Sequence, residues 1–411
     1  MKITSNVKKD FLWNIIGSVC SALTFPVIII VVIRFNGIDE AGSASFAFSL
    51  AMMFYSIGIY GGRFYQVSDV KNEFDDNTYI LFRFTTTMFM PILCMAFMLL
   101  GNYDKLTNML LIIFTLIKMS LSISDAFYGV IQKENKFYII GMSLFYRFLF
   151  GIGFFAVINF ATRDIRLAAL VMFIANLACT VFYDFRKARH RVQLAFLHRM
   201  APKLKNLAGK SLCLAIFLFV PILAMNIPRF FMAQIDDQAY FSIFTVPTTL
   251  FSMIVMLMIN PTLVDLSNRI HNNDTSVAET IKRLILYVGV VAALALILAY
   301  YIGIQILTAV YGIDFAGYRN ILLLSIISGA LSGLAYIFIL ILNIMRRFVQ
   351  VIQIYITCIL ILSLSSFFTV GEYGLIAAIF VYLAYNAVSL FLFGLYYVAD
   401  LTRLSRSTAN K

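Results

Sequence analysis

Four cations lie inside stretches of sequence that are otherwise apolar enough to span a membrane: Arg83, Lys118, Arg147 and Arg229. A charged side chain near the bilayer centre costs at least about 2.5–3.5 kcal/mol on insertion scales, so cations at such positions usually serve a purpose. Arginine offers phosphate oxygens a planar fork of donors, and lysine offers a compact charge. These residues therefore predict a membrane protein that handles an anion.

The depth of each cation within its apolar stretch separates their expected roles. Lys118 and Arg147 lie near the middle, whereas Arg83 lies close to one end, where its side chain can snorkel to the interface. Asp125 follows Lys118 by two helical turns on the same face, at a depth close to that of Arg83. We expect Asp125 to neutralise Arg83, while Lys118 and Arg147, which have no acid nearby, face a water-filled cavity and suit a diphosphate. The alternative is that Asp125 bridges to Lys118 or Arg147 and only holds helices together.

The charged residues are unevenly distributed between the two halves of the chain. Arg34 and Arg229 each close an apolar stretch, and together with Asp125 we assign them as charge partners or gating residues. The interior of the second half is polar rather than charged, and its amides either join helices or hydrogen-bond a ligand. These amides are Asn226, Gln305, Asn343, Gln350, Gln353 and Asn386.

Composition identifies the class of protein that carries these cations. The mean hydropathy is +0.90, and 13% of residues are charged, against about 25% in soluble proteins. Because a span needs about 20 apolar residues, we predict a polytopic all-α membrane protein of twelve transmembrane helices. The predicted spans are 11–33, 42–60, 79–100, 106–128, 138–160, 166–183, 211–231, 239–262, 284–308, 321–343, 349–370 and 374–398.

The positive-inside rule predicts the orientation of these spans. Most of the 32 Lys and Arg residues fall in segments on the same side as the N-terminus. The opposite side carries only Arg34, Lys105, Arg163, Arg166 and Arg319. We therefore expect a multi-pass protein with both termini in the cytoplasm. This bias also accounts for the net charge of +12 without a nucleic-acid partner.

Motifs for catalysis or metal binding are missing from the sequence. The five cysteines are dispersed through apolar segments, and the three histidines fall in predicted cytoplasmic segments. There is no GxSxG, Walker or HExxH motif. The predicted outside loops are too short for an external catalytic domain. We therefore expect a protein that is not an enzyme and needs no cofactor or metal.

A basic segment divides the chain into two halves. We predict a six-helix lobe at 1–183, a basic amphipathic cytoplasmic linker at 184–210 and a second six-helix lobe at 211–411. Within the linker, Val192, Phe196 and Met200 recur every four residues. Arg34-Phe35 and Arg229-Phe230 close the first helix of each half, which favours two pseudo-symmetric lobes around a central cavity. Prolines that can act as kink positions lie in the first two helices of the halves: Pro26, Pro221, Pro228, Pro247 and Pro261.

Several short motifs, in a fixed order along nearly the whole chain, carry a family resemblance. They are Asn14, Gly17, Arg34 and Gly42; the run Gly61 to Asp69; Asp125, Gly129, Gln132 and Lys133; Arg147; Asn226, Pro228 and Arg229; and Tyr311-Gly312 with Tyr318-Arg319. In these motifs the chain resembles the polysaccharide transporters, which include the O-antigen and capsule flippases. They belong to the multidrug/oligosaccharidyl-lipid/polysaccharide (MOP) superfamily.

The resemblance implies a protein of the bacterial inner membrane that moves an undecaprenyl-diphosphate-linked oligosaccharide outward by alternating access. The lipid tail of that substrate would stay among the membrane lipids, and Arg83, Lys118 and Arg147 would contact its head group. It also implies partners among the polysaccharide polymerases or glycosyltransferases of the same pathway. Two lobes in one chain lead us to expect a monomer.

Two other functions remain open at the level of sequence. An ion-coupled drug exporter of the same superfamily usually needs acids in its cavity, and Asp125 is the only acid that the predicted spans contain. A membrane polysaccharide polymerase or glycosyltransferase usually carries a long loop with catalytic residues, which the short outside loops do not provide.

Overall fold

The computed structural model describes residues 5–69, 72–101, 103–191, 201–232, 235–259, 262–271, 276–345 and 347–409. These residues are helical with short connections, and no strand occurs among them. Apolar runs fold as helices because a bilayer offers backbone groups no other hydrogen-bond partners. The predicted all-α membrane fold is thereby confirmed.

The chain forms two compact units, Met1–Leu223 and Ala224–Lys411. The predicted lobe and linker boundaries at 183 and 210 stay a prediction. The helical repeat predicted from Val192, Phe196 and Met200 lies outside the described residues, as does Pro261.

Among its described residues the first unit contains eleven α-helices, the last of which extends past Leu223. They are α1 (Ser5–Asn36), α2 (Ile38–Ile59), α3 (Gly62–Ser68), α4 (Asp76–Thr87), α5 (Phe89–Leu100), α6 (Lys105–Lys133), α7 (Phe137–Tyr146), α8 (Gly153–Thr162), α9 (Ile165–Ala178), α10 (Arg186–Ala188) and α11 (Ala201–Phe230). Two π-helical segments, Arg147–Ile152 and Cys179–Phe185, join α7 to α8 and α9 to α10.

The described part of the second unit contains six further α-helices. They are α12 (Ile235–Ile259), α13 (Leu263–His271), α14 (Val277–Leu298), α15 (Ile304–Tyr311), α16 (Arg319–Ile344) and α17 (Phe348–Ala409). A third π-helical segment, Ala299–Gly303, joins α14 to α15. The second unit has an apolar core that includes Phe251, Val255, Ile337 and Leu340.

Acidic caps and left-handed residues mark the helix boundaries in the first unit. Asp104 accepts from the backbone N–H groups of the first turn of α6, and Asp164 does the same for α9. Gly37, with φ of 98°, separates α1 from α2. Tyr60 and Gly61, with φ of 45° and 65°, end α2 and start α3 in a new direction.

Small residues bring the backbones of α1 and α7 into contact. A Cβ atom on Gly17 would lie 2.5 Å from the carbonyl oxygen of Gly141, so neither position has room for a side chain. Close crossings of this kind are how helices associate in lipid, where apolar burial gives no net driving force. Both glycines therefore fix the packing of the first span.

Eleven helical stretches among the described residues are long and apolar enough to cross a membrane. The last, Phe348–Ala399, has 52 residues and would be about 78 Å long, more than twice the bilayer core. Gly374, with φ of 55° and ψ of −133°, interrupts it. This stretch therefore accommodates the two predicted spans 349–370 and 374–398.

Candidate functional site

Helix α6 carries several of the buried polar side chains of the first unit. Its middle and last third carry Lys118, Ser124 and Asp125, all of them buried. Each reaches a different neighbour: Lys118 lies beside α2, Asp125 meets α3 and α4, and Ser124 meets the π-helical segments.

Asp125 holds two arginines. Nη2 of Arg83 lies 3.0 Å from Oδ2 of Asp125, and Nη1 of Arg63 lies 3.3 Å from Oδ1. Arg83, which is 2% exposed, also donates to the carbonyl oxygen of Gly58, while Nε of Arg63 donates to Gln132 at 2.9 Å. The predicted pairing of Asp125 with Arg83 is confirmed. One carboxylate shared by two guanidinium groups leaves a formal charge of +1.

The contact of Arg63 with Asp125 was not predicted, because the pattern of apolar runs places Arg63 in a cytoplasmic loop. The left-handed residues after α2 turn the chain into α3, and this turn brings Arg63 back to α6. A usable signal was the pair of glycines before it, since an αL residue commonly ends a helix and redirects the chain.

Arg147 is enclosed by acceptors. Its Nη2 donates to Asp184 at 2.7 Å, to Thr180 at 2.8 Å and to Ser124, while Nη1 donates to the backbone and side-chain oxygens of Asn176. Asp184 is 0% exposed. Both partners of this ion pair lie in π-helical segments, a conformation that is rare and often found at functional sites.

The expectation that Arg147 has no acid nearby is therefore wrong, and Asp125 is not the only acid within a span. The helix runs past residue 183 because its π-helical segment continues directly into α10, which turns Asp184 inward. Asn176, Thr180 and Asp184 recur every four residues, and this polar stripe was the signal that the span extends further.

Glycines make space for these side chains. A Cβ atom on Gly62 would lie 2.8 Å from Nη2 of Arg83, and one on Gly151 would lie 2.9 Å from Nδ2 of Asn176. One on Gly129 would overlap the side-chain oxygen of Gln66. The polar groups are thus packed against backbone, which fixes their positions.

Lys118 is held differently from the arginines. It is 8% exposed, and its ammonium lies 4.3 Å from the ring centroid of Phe48 and 5.8 Å from that of Tyr55. Across the described ranges it forms no ion pair or hydrogen bond. A cation–π contact stabilises a desolvated cation by up to about 2 kcal/mol but leaves its charge unneutralised. Lys118 is therefore a buried cation that can accept an anion.

The remaining predicted residues have other surroundings. Arg34 is exposed at the end of α1. Arg229 belongs to the second unit, where it is buried and donates to Gln238 and Ser242 of α12 above the ring of Phe241. Gating roles for both stay predictions. The predicted kink positions lie within helices: Pro26 in α1, Pro221 and Pro228 in α11, and Pro247 in α12.

The part of the chain that the structure describes contains no candidate metal site. No three His, Cys, Asp or Glu side chains come together there.

Comparison with known proteins gives similarities in both sequence and structure. No protein-family profile matches the chain. The capsular polysaccharide biosynthesis protein CapF of Staphylococcus aureus is 23% identical over 343 residues, which cover 80% of this chain and 83% of that protein.

Among solved structures, the lipid II flippase MurJ in an inward closed conformation matches with a TM-score of 0.74 and 14% identity. That match covers 95% of this chain and 87% of MurJ. An inward-facing multidrug resistance MATE transporter of the MOP superfamily matches with a TM-score of 0.69 and 7% identity, over 96% of this chain and 99% of that one. The resemblance carried by the sequence motifs is thereby confirmed at the level of the fold.

Proposed function

We propose that this chain, which has the fold of the MOP-superfamily transporters, is a flippase for an undecaprenyl-diphosphate-linked oligosaccharide. It would carry the repeat unit of a surface polysaccharide from the cytoplasmic to the outer leaflet of a bacterial inner membrane. The observation that supports this most is Lys118, a cation buried at mid-span without a counter-charge. The likeness to a capsular polysaccharide biosynthesis protein and to a lipid II flippase supports the class of substrate.

The charge balance of the site favours a polyanionic head group. Four cations and two carboxylates converge around α6, which leaves a formal excess of two positive charges. The cations are Arg63, Arg83, Lys118 and Arg147, and the carboxylates are Asp125 and Asp184. A diphosphate matches that excess, and in a low-dielectric environment the gain from pairing is large.

The three predicted head-group contacts receive different support. Lys118 is available as it stands, and Arg63 and Arg83 share one carboxylate, so an incoming phosphate can take over one of them. Arg147 already donates to Asp184 and to neutral oxygens on several sides. We therefore assign Lys118 the first contact with the diphosphate, Arg83 the second, and Arg147 a positioning role.

In this mechanism no bond is made or broken and no cofactor takes part. The site would be exposed to one side of the membrane and then to the other, while the lipid tail remains in the bilayer. The protein would act as a monomer, with both termini in the cytoplasm, beside the glycosyltransferases and polymerase of its pathway.

The test is to deplete the protein in its host and determine which leaflet holds lipid-linked oligosaccharide. Plasmid-borne Lys118→Met and Lys118→Arg variants, matched in expression, are then compared with wild type. We expect the oligosaccharide to be trapped on the cytoplasmic side with Lys118→Met, and exported with Lys118→Arg. Export at the wild-type level by Lys118→Met, or no trapped lipid on depletion, would contradict the proposal.

A drug exporter is the second candidate, and one observation favours it. Asp184 is a fully buried carboxylate whose Oδ1 atom has no hydrogen-bond partner among the described residues, so it offers a place for a proton. The fold is also that of MATE transporters. Accumulation of a small cationic compound in depleted cells, without trapped lipid-linked sugar, would support this function over the first.

A further inference from the structure

We infer that the end of the sixth span carries a binding site for an anionic phospholipid. The site is a cavity of about 440 Å³ lined by Phe182, Tyr183, Arg186, Lys187 and Arg189. Its lining residues flank Asp184 in sequence and are not among the residues that contact Lys118. The inference does not depend on the proposed substrate.

The cations of this cavity are exposed, and no described residue serves as their counter-ion. Arg186, Lys187 and Arg189 are all exposed, and none forms an ion pair with any residue that the structure describes. Two acids of the same region are already paired with other groups, and the first of them, Asp184, binds Arg147. Glu134 binds Lys136 and His190, and although partial burial opposes it, these bonds lower the pKa of Glu134 to about 2. Three adjacent positive charges are thus left for an external anion.

The aromatic residues indicate what carries that anion. Phe182 is 65% exposed, and the guanidinium of Arg186 lies 6.0 Å from its ring centroid. The ammonium of Lys187 lies 5.9 Å from the ring of Tyr183, which packs edge-on against Tyr146 of α7. A cavity lined by both aromatic and cationic side chains suits a headgroup phosphate whose acyl chains contact the rings, as at other membrane interfaces. A small soluble anion would make no use of Phe182.

The opposite face of the same segment is buried, which fixes the direction in which the cations of the cavity point. Asp184 and Ala188 point inward, and Ala188 packs with Ile80, Phe127 and Val130 of α4 and α6. The cations therefore cannot rotate into the protein. This arrangement also places the lipid site on the helix that supplies Asp184 to Arg147.

The experiment uses the full chain in nanodiscs of phosphatidylcholine with and without phosphatidylglycerol. Lipids retained on the released protein are counted by native mass spectrometry. The variant is Arg186→Gln/Lys187→Gln. The matched control is Lys282→Gln/Arg283→Gln, which removes an equally exposed adjacent basic pair from α14.

Wild type and control are expected to retain phosphatidylglycerol in preference to phosphatidylcholine. The Arg186→Gln/Lys187→Gln variant should bind it roughly 25-fold more weakly, about fivefold for each cation removed. Equal retention of the two lipids by wild type, or equal losses in variant and control, would overturn the inference. So would displacement of the bound lipid by millimolar inorganic phosphate, which would indicate a general anion site. All three proteins should elute alike on size exclusion, because none of the substituted residues is buried.

Discussion

The buried cations of the first unit are of two kinds. Arg147 sits among acceptors that satisfy its charge, whereas Lys118 lies over an aromatic ring without an anion. The ion pair of Arg147 is favourable only while both of its partners remain, because removing one leaves the other as a buried, unpaired charge. Burial of Lys118 costs desolvation energy that no ion pair offsets. Substitution at the two residues should therefore have opposite effects on stability.

Arg147→Ala should lower the free energy of unfolding by about 3–5 kcal/mol, because it leaves the carboxylate of Asp184 buried and unpaired. The double variant Arg147→Gln/Asp184→Asn should lose much less, since it removes both charges and keeps hydrogen-bonding groups. Thermal unfolding of the purified proteins measures the difference. Equal melting temperatures for the two variants would show that the pair is not a unit.

Lys118→Met should raise the melting temperature while abolishing transport. The substitution loses a cation–π contact of about 0.5–2 kcal/mol, which is smaller than the several kcal/mol that an unpaired buried ion costs. Unfolding of the purified variant and export in depleted cells are measured side by side. A variant with lower stability and lower transport would instead mark Lys118 as a structural residue.

At the scale of helices, the two π-helical segments align the groups that bind Arg147. Arg147–Ile152 places Gly151 against Asn176. Cys179–Phe185 turns Thr180 toward Ser124 of α6 and Asp184 toward Arg147. A regular helix has a different residue spacing per turn, so it would direct one of these side chains elsewhere. The ion pair thus depends on both irregular segments.

Gly151→Ala should destabilise the protein by about 1–3 kcal/mol, because the new methyl group would displace the amide of Asn176. Gly153→Ala is the matched control two residues on, where nothing beyond the adjoining backbone of the same helix lies within 4 Å of the added Cβ. Alanine should stabilise that helical position by about 0.5–1 kcal/mol. Similar melting temperatures for the two variants would refute the close packing at Gly151.

The spans were more predictable than the site because they depend on different physics. Runs of about 20 apolar residues suffice to locate membrane helices, and all twelve predicted spans overlap helices of the structure. The pairing of Asp125 with Arg83 followed from depth alone. Arg63 and Asp184 were missed because a left-handed turn and a π-helical extension bring them inward, and neither leaves a hydropathy signal.

For the whole molecule, the distribution of basic residues predicts which ends of the helices face the cytoplasm. The two ends of α6 offer a direct check, since Lys105 and Lys136 are both exposed and flank the same span. In a cysteine-free background, Lys105→Cys should react with an impermeant maleimide added to intact cells. Lys136→Cys should react only after the cells are opened, and the reverse pattern would invert the topology.

Lys118, whose ammonium lies over the ring of Phe48, should affect the rate of the proposed transport cycle. In the proposed transport cycle the empty protein must keep the uncompensated ammonium away from water while it reorients, whereas in the loaded protein a bound anion compensates that charge. The empty protein should therefore reorient more slowly than the loaded one. Exchange of substrate between two filled leaflets, in which both legs of the cycle run loaded, should therefore be faster than net export. In reconstituted vesicles, equal rates for the two processes would mean that Lys118 imposes no barrier on the unloaded return.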